Sequence, residues 1–568
     1  MPAPRPAAGH PRDIRDLADA YVTSLAGLDP LLATMLGLSE GQDRLPDLSP
    51  DGQQARDDLA EATLARLTAA VREGAGADGD ERRCGRLLRE RLQTNLAASA
   101  AGEHLRDLHN IFGPVNRVRN VFLLMPSRSE ADWEVIARRM AQVPAAYAGH
   151  RACLEEGLER GLMAAPRQVQ TVITQLGEWA AAAGGRGWFA AYSAAADVPP
   201  ALREDLDRAA ATAMNAAAGL RGWLATEYLP RAEGVPDGVG DERYRLGARQ
   251  WTGARLDPAD AYAWGWEEYQ RLSSEMQEQA RKVLPGASPR EAMAHLDAHG
   301  EAIEGVAEVQ QWLQRMMDAT VAELSPGHFD LPEPVKRVEA CIAPDGSAAA
   351  PYYTRPALDF SRPGRTWLPT LGETRFPLWP LISTWYHEGV PGHHLQLALW
   401  TYLSRQLSVF QTTAGSVSAC TEGWALYAER LMDELGYFTD PGARLGYLDA
   451  QLMRAIRVVI DIGMHLRLRV PDDSPLGAGE TWTPELGREF FAAHSGRPGA
   501  FVDSEIVRYL GAPGQAISYK LGERAWLAGR EAARAARGTG FDLAGWHRAA
   551  LSLGALGLDD LADELAGL

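Results

Sequence analysis

A mainly α-helical fold, one large unit of two lobes with a few short β-strands around residues 330–370, is what this sequence predicts. Three observations carry that expectation. Apolar residues recur every three or four positions from Asp13 onward, helix-forming residues dominate long stretches, and recognisable caps mark several helix starts. The first 11 residues read as a flexible tail, which leaves 12–568 as a single folded unit.

Taken in order, Leu17, Tyr21, Leu25 and Leu28 lie three or four apart and predict one buried stripe on a first helix. The stretches 52–73, 130–160, 166–183 and 200–228 are rich in Ala, Leu, Glu and Arg, all good helix formers. Asp257-Pro258 puts an acceptor at the N-cap and Pro at the first helical position, and the helix is expected to run to Pro285-Gly286. Ser288-Pro289-Arg290-Glu291 is a capping box with Gly300 as its stop, and Thr483-Pro484 opens another helix. Residues 325–370 break this rhythm with many Pro and Gly and with the alternation Val338, Ala340, Ile342. Short strands and ordered loops are expected there, including "PYYTRPALDFSRPG", forming the lip of a deep cleft.

The 568 residues are 46% hydrophobic and 23% charged, the composition of a globular protein. A net charge of −18 with no dense basic run argues against nucleic acid as a partner. No stretch reaches the roughly 18 apolar residues that would span a membrane, and the N-terminus lacks the apolar segment of a secretory signal. Cys84, Cys153, Cys341 and Cys420 are far apart and form no C-x-x-C pair, which suits buried thiols in a reducing compartment. The expected location is the cytoplasm.

One segment points to chemistry. "TWYHEGVPGHHLQ", residues 384–396, joins three histidines to a glutamate and interrupts them with Pro391-Gly392. Hydrolysis at a zinc ion needs nitrogen or oxygen ligands, an open position, and a base for the attacking water. His387 supplies a nitrogen and Glu388, its neighbour, faces elsewhere as a base should. In a straight helix two residues six or seven apart are separated by about 9 to 10.5 Å along the axis, too far to share one ion. Pro391 has no N–H and its ring clashes with the carbonyl of His387, so a bulge here would bring the second imidazole back. A third ligand is expected from "SACTEGWALYAERLMDEL": Glu422 stands near its start, and Glu429, two turns on, shares its face and is placed to hydrogen-bond a ligand histidine.

"HEGVPGHHLQ", "TEGWALYAE", "RAIRVVIDIGMH" and "RYLGAPGQAISYKLG", in this order, resemble the bacterial family called domain of unknown function 885. So do "LDPLLATMLGLSEGQDRLPDLS" and "APYYTRPALDFSRPG", which spreads the resemblance over nearly the whole chain. The family is similar to helical zinc metallopeptidases of the gluzincin type, such as thimet oligopeptidase and the carboxypeptidase Taq group. The resemblance implies a zincin-like fold and a ligand helix ending in Gly-His-x-Leu. Gly392-His393-His394-Leu395 matches that ending, which makes His393 the second ligand and His394 its neighbour.

The resulting expectation is one zinc ion on His387, His393 and Glu422, with Glu388 as general base. Tyr519 and His465 are candidate catalytic residues, Tyr519 as donor to the developing oxyanion. His394, Tyr353, Arg457 and Arg508 are candidates for substrate binding, with Arg454 a further guanidinium fork and Tyr352 a further cleft aromatic. Each of these also reads as a packing or ion-pair residue. The expected substrates are short peptides or small amides. A dedicated amide hydrolase of a small-molecule pathway and a non-catalytic helical metal-binding scaffold are the alternatives.

Overall fold

The computed structural model describes residues 13–76, 78–181, 184–343 and 350–568, so the expected tail at 1–11 lies outside the described residues. Helices dominate, and they begin where capping chemistry directs. The Asp257 carboxylate accepts from the Ala259 N–H at the start of Pro258–Val283, and Ser288 and Glu291 complete a reciprocal box on Pro289–His299. Thr483 caps Pro484–His494 in the same way. The stretch 130–160 is two helices, Glu130–Met140 and Val143–Glu159, because Pro144 is compatible only with a first turn. The first helix, Asp13–Leu28, buries Ile14, Leu17, Ala18, Tyr21, Val22 and Ala26. Leu25 and Leu28 are only half-buried, so the buried face is rotated from the expected stripe.

Buried apolar side chains form two cores. The larger takes residues from the N-terminal helices, Ile14 to Leu92, and from Tyr244 to Leu565. The smaller takes Leu31 and then Leu108 to Ala232. The chain therefore leaves the larger core, builds the smaller one, and returns.

Among the described residues, five short strands lie between 302 and 377. β1 (Ala302–Glu304) pairs antiparallel with β5 (Arg375–Pro377). β2 (Val338–Ile342) runs parallel to β4 (Gly364–Leu368), and β3 (Tyr352–Thr354) is antiparallel to β4 on its other side. Val338 and Ala340 are buried and Ile342 half-buried, as the alternation predicts. Gln314 closes the free edge of β2: its amide accepts from the Ala340 N–H at 2.8 Å and donates to the Val338 carbonyl at 3.0 Å. β5 leads directly into the helix Leu378–Glu388, which packs along the central helix Pro441–Leu466. Sheet and core together hold the histidine segment from both sides.

Candidate metal centre

The histidine segment is two helices, not one kinked helix. Leu378–Glu388 ends at the base candidate, residues 389–392 make a turn with a cis Val390–Pro391 peptide, and His393–Tyr402 begins with the second ligand candidate. The turn is closed by hydrogen bonds from the Gly392 N–H to the Tyr386 carbonyl and from the His394 N–H to the Gly389 carbonyl, both 3.0 Å. A Cβ at position 392 would run into the carbonyls of Tyr386 and His387, so only glycine lets the turn close this tightly. The turn brings the His387 and His393 rings to 4.7 Å between centroids, at 84°.

The helix Ser418–Glu434 carries the carboxylate to them. Its Trp424 indole N–H donates to the carbonyls of Pro391 (2.9 Å) and Gly392 (3.2 Å), tying this helix to the turn. On its other face Gly423 lies against Gly522 of Ser518–Arg537, at a separation that leaves no room for a Cβ on either. Glu422 Oε2 then sits 3.4 Å from Nε2 of His387 and 3.4 Å from Nε2 of His393. Tetrahedral zinc with bonds of about 2.0–2.1 Å places its donors about 3.3 Å apart. The spacing fits. Glu422 Oε2 is buried without a hydrogen-bond partner, as is the other ring nitrogen of His393, Nδ1.

Glu388 also approaches this group, with one donor atom of each of His387, Glu388 and His393 within 4.8 Å of the others. Glu422 is nearer to both imidazoles, and Glu388 stands beside them with no hydrogen bond among the described residues. Burial raises the Glu388 pKa, against the pull of His393 and His387. Burial would raise Glu422 as well, yet His393 and His387 outweigh it and hold that carboxyl below the usual range. The His387 pKa is lowered by burial but pushed up to about 9 by the adjacent carboxylates of Glu422 and Glu429.

Glu429, fully buried, fixes the His387 ring as its spacing predicted: Oε1 is 2.7 Å from His387 Nδ1, and Oε2 accepts from Ser383 Oγ at 2.7 Å. A bond to Glu429 through Nδ1 turns Nε2 toward Glu422. Behind Glu429, Gln451 donates to Oε2 at 3.5 Å and accepts from the buried Lys520 at 2.5 Å. Lys520 also reaches Glu268 and Glu523. Ser383, Trp424, Gln451 and Lys520 escaped the sequence reading. Ser383 lies one turn before His387 on the same face and was legible from spacing; the others depend on long-range packing.

The remaining candidates divide. Tyr519 is half-buried beside Glu422, its ring 4.9 Å from the Arg457 guanidinium, and its hydroxyl makes no hydrogen bond among the described residues. Arg457 and Arg508 are engaged elsewhere: Arg508 grips Glu505 through Nε (2.8 Å) and Nη2 (2.6 Å), and Arg457 bonds Tyr509 Oη and Glu505. His394 turns away from the centre, with Nε2 at 2.7 Å from the Val335 carbonyl and Nδ1 at 3.0 Å from Tyr353 Oη. Both expected substrate contacts, His394 and Tyr353, thus satisfy each other. Tyr352 stacks on Trp367. His465 is a buried core residue: Nε2–H donates to the Tyr509 carbonyl at 3.1 Å and Nδ1 accepts from the Val239 N–H at 3.4 Å. It lies eleven residues beyond Arg454 on the same helix, about 16 Å along the axis, so the structure does not bring it to the centre.

The centre is nearly closed. His387 is 3% exposed and Glu388 and His393 9% each, whereas the Glu422 side chain is 22% exposed. Glu422 is the more exposed of the three expected ligands, although its Oε2 is itself buried. Two open surface grooves lie elsewhere, one between Glu130–Met140 and Pro200–Trp223, the other beside Leu521 and Leu558.

A mainly helical chain with a buried pair of histidines and a shared carboxylate is the class of protein that fold and centre define. The sequence profile of the bacterial proteins of unknown function termed DUF885 matches residues 30–565, and the chain belongs to that family. A crystal structure from Colwellia psychrerythraea, of a protein provisionally described as a lipoprotein, is similar with TM-score 0.82 and 24% identity, covering 98% of each chain. A second, from Shewanella oneidensis and provisionally described as a lipoprotein of unknown function, gives TM-score 0.72 and 17% identity over 98% of this chain and 99% of that one. At these identities the likeness extends to the fold alone. No curated protein matches the chain.

Proposed function

We propose that this chain is a zinc-dependent hydrolase of amide bonds in short peptides, with chemistry of the gluzincin type worked in a mainly helical, zincin-like cleft. The observation that carries the reading is the single oxygen of Glu422 standing 3.4 Å from two facing imidazole nitrogens, with a second, unbonded carboxylate beside them. His387, His393 and Glu422 would hold the ion. Zinc there supplies Lewis acidity, acidifying a water and polarising the scissile carbonyl. Glu388 takes the proton from the attacking water and passes it to the leaving amine as the C–N bond breaks and the new C–O bond forms. Its burial raises its pKa, the direction needed by a base that must also give the proton back. Tyr519, with an unengaged hydroxyl, is the donor to the oxyanion.

The near closure of the centre favours small substrates. That same feature supports a second reading, a dedicated amide hydrolase acting on a small metabolite. Zinc content and turnover together test the proposal. Purified protein should bind about one zinc ion, and Glu388→Gln should keep that ion while losing hydrolysis by about two orders of magnitude or more. Protein that stays metal-free after zinc supplementation, or a fully active Glu388→Gln variant, would refute it. We place the protein in the cytoplasm on its four unpaired cysteines. The descriptions of the two solved relatives favour the cell envelope instead, and fractionation decides between the two. Among the described residues no helix is long and apolar enough to cross a membrane.

A further inference from the structure

Three arginines stand near the centre, and their partners differ. Arg457 and Arg508 converge on Glu505 and use their remaining contacts on Tyr509 and Gln515. Arg454 has no such engagement. Of its five N–H donors, one Nη1–H bonds the Ala450 carbonyl at 3.0 Å, one turn back on its own helix. Nε is buried with no partner, and Nη2 stands 3.8 Å from Glu429 Oε1, beyond hydrogen-bond distance. The side chain is only 12% exposed and its guanidinium lies 6.0 Å from the Tyr519 ring centre. Glu429 offsets the charge of this guanidinium but leaves its donors open, and a nearly buried donor without an acceptor costs stability.

Its reach can be bounded. Nη2 is 3.8 Å from Glu429 Oε1, which is 2.7 Å from His387 Nδ1. Adding the width of an imidazole and one bond to the ion puts Nη2 within about 11 Å of the metal position. One extended residue covers about 3.5 Å, and the contacts at its two ends extend the span to roughly that bound. Two residues exceed it unless the chain bends.

We propose that Arg454 is an anion subsite that receives the free carboxylate of the substrate, setting the scissile amide one residue from the chain end. This rests on the hydrolase reading above and names its substrate class: peptides and N-acyl amino acids that end in a free carboxylate.

The test compares an N-blocked dipeptide as free acid and as C-terminal amide. Wild-type protein should favour the acid by about 30-fold in kcat/KM, a charge-assisted pair's worth of discrimination. In Arg454→Met the acid-to-amide ratio should fall toward one, and Arg454→Lys should lie between, since it keeps the charge and loses the fork. Zinc content and melting temperature of each variant show that it is folded and loaded. A wild-type ratio near one, or a ratio that Arg454→Met leaves unchanged, would overturn the subsite. Binding of the same two ligands to zinc-loaded Glu388→Gln, followed by calorimetry, separates the two readings. If the wild type cleaves neither peptide, the hydrolase reading fails; tighter binding of the acid that is lost in the Arg454→Met double variant sustains the subsite, and equal binding overturns it.

Discussion

Replacing Glu429 with glutamine tests whether His387 presents Nε2 to a metal. The carboxylate spans two partners, with Oε1 at 2.7 Å from His387 Nδ1 and Oε2 at 2.7 Å from Ser383 Oγ. A glutamine can keep both contacts: its oxygen accepts from the Nδ1–H, and its amide nitrogen donates to Ser383 Oγ. What it loses is charge. Hydrogen bonds to charged groups contribute about 1.5–3 kcal/mol and neutral ones about 1 kcal/mol, so the loss is about 1–2 kcal/mol. The new amide nitrogen also faces the Gln451 donor, which the carboxylate accepted at 3.5 Å. Zinc affinity should therefore fall by about 5- to 30-fold, at the lower end of the range for losing such an orienting partner. Competition with a chromophoric chelator at pH 7.5 reads the dissociation constant, and thermal melting verifies the fold. An affinity within twofold of wild type in a folded Glu429→Gln variant would refute the assignment of Nε2 as ligand.

Gly522→Ala sets two effects against each other: better helix propensity, about 1 kcal/mol in favour of Ala, and a Cβ driven into the Ala419 carbonyl. The collision should win, lowering stability by about 1–3 kcal/mol in denaturant titration, and a variant as stable as wild type would show that the helices are not this close. His465 and His150 are both pushed down to about 4 by burial. Between pH 6.5 and 4 the unfolded chain binds protons there that the folded chain does not, so stability is complete above about 6.5 and is lost as pH falls toward 4. Each contributes up to about 3 kcal/mol, and urea midpoints at pH 7 and 4.5 should show a shallower loss in His465→Gln than in wild type.

Much of the fold was legible because caps and periodicity act locally. Asp257, Ser288 and Thr483 start helices by bonding their own first turns, and no distant residue changes that. Glu429 was legible for the same reason, since residues two turns apart share a face. The histidine segment was half legible. Pro391 and Gly392 marked a break, but whether the chain bulges within one helix or turns between two is tied to Trp424, which reaches the turn from another element. The arginines could not be ranked from sequence, because Glu505 and Gln515 decide which of them keeps open donors. His465, on an apolar helix, read more readily as a core residue than as a chemical one, and the carbonyl of Tyr509 claims one of its ring nitrogens. Two lobes were expected, but which helices build the second core was not legible, because they resemble all the others in composition.

That second core touches the neighbourhood of the centre through one helix, Gly499–Gly511, whose backbone it grasps: Asn110 donates to the Ser504 carbonyl at 3.2 Å and Gln168 to the Val507 carbonyl at 2.8 Å. The opposite side of that helix bears Glu505 and Arg508, which hold Arg457 against Tyr519. The helix thus joins the second core to the ring of Tyr519 beside the centre, through contacts that begin at Asn110 and Gln168 and pass by Glu505 and Arg457.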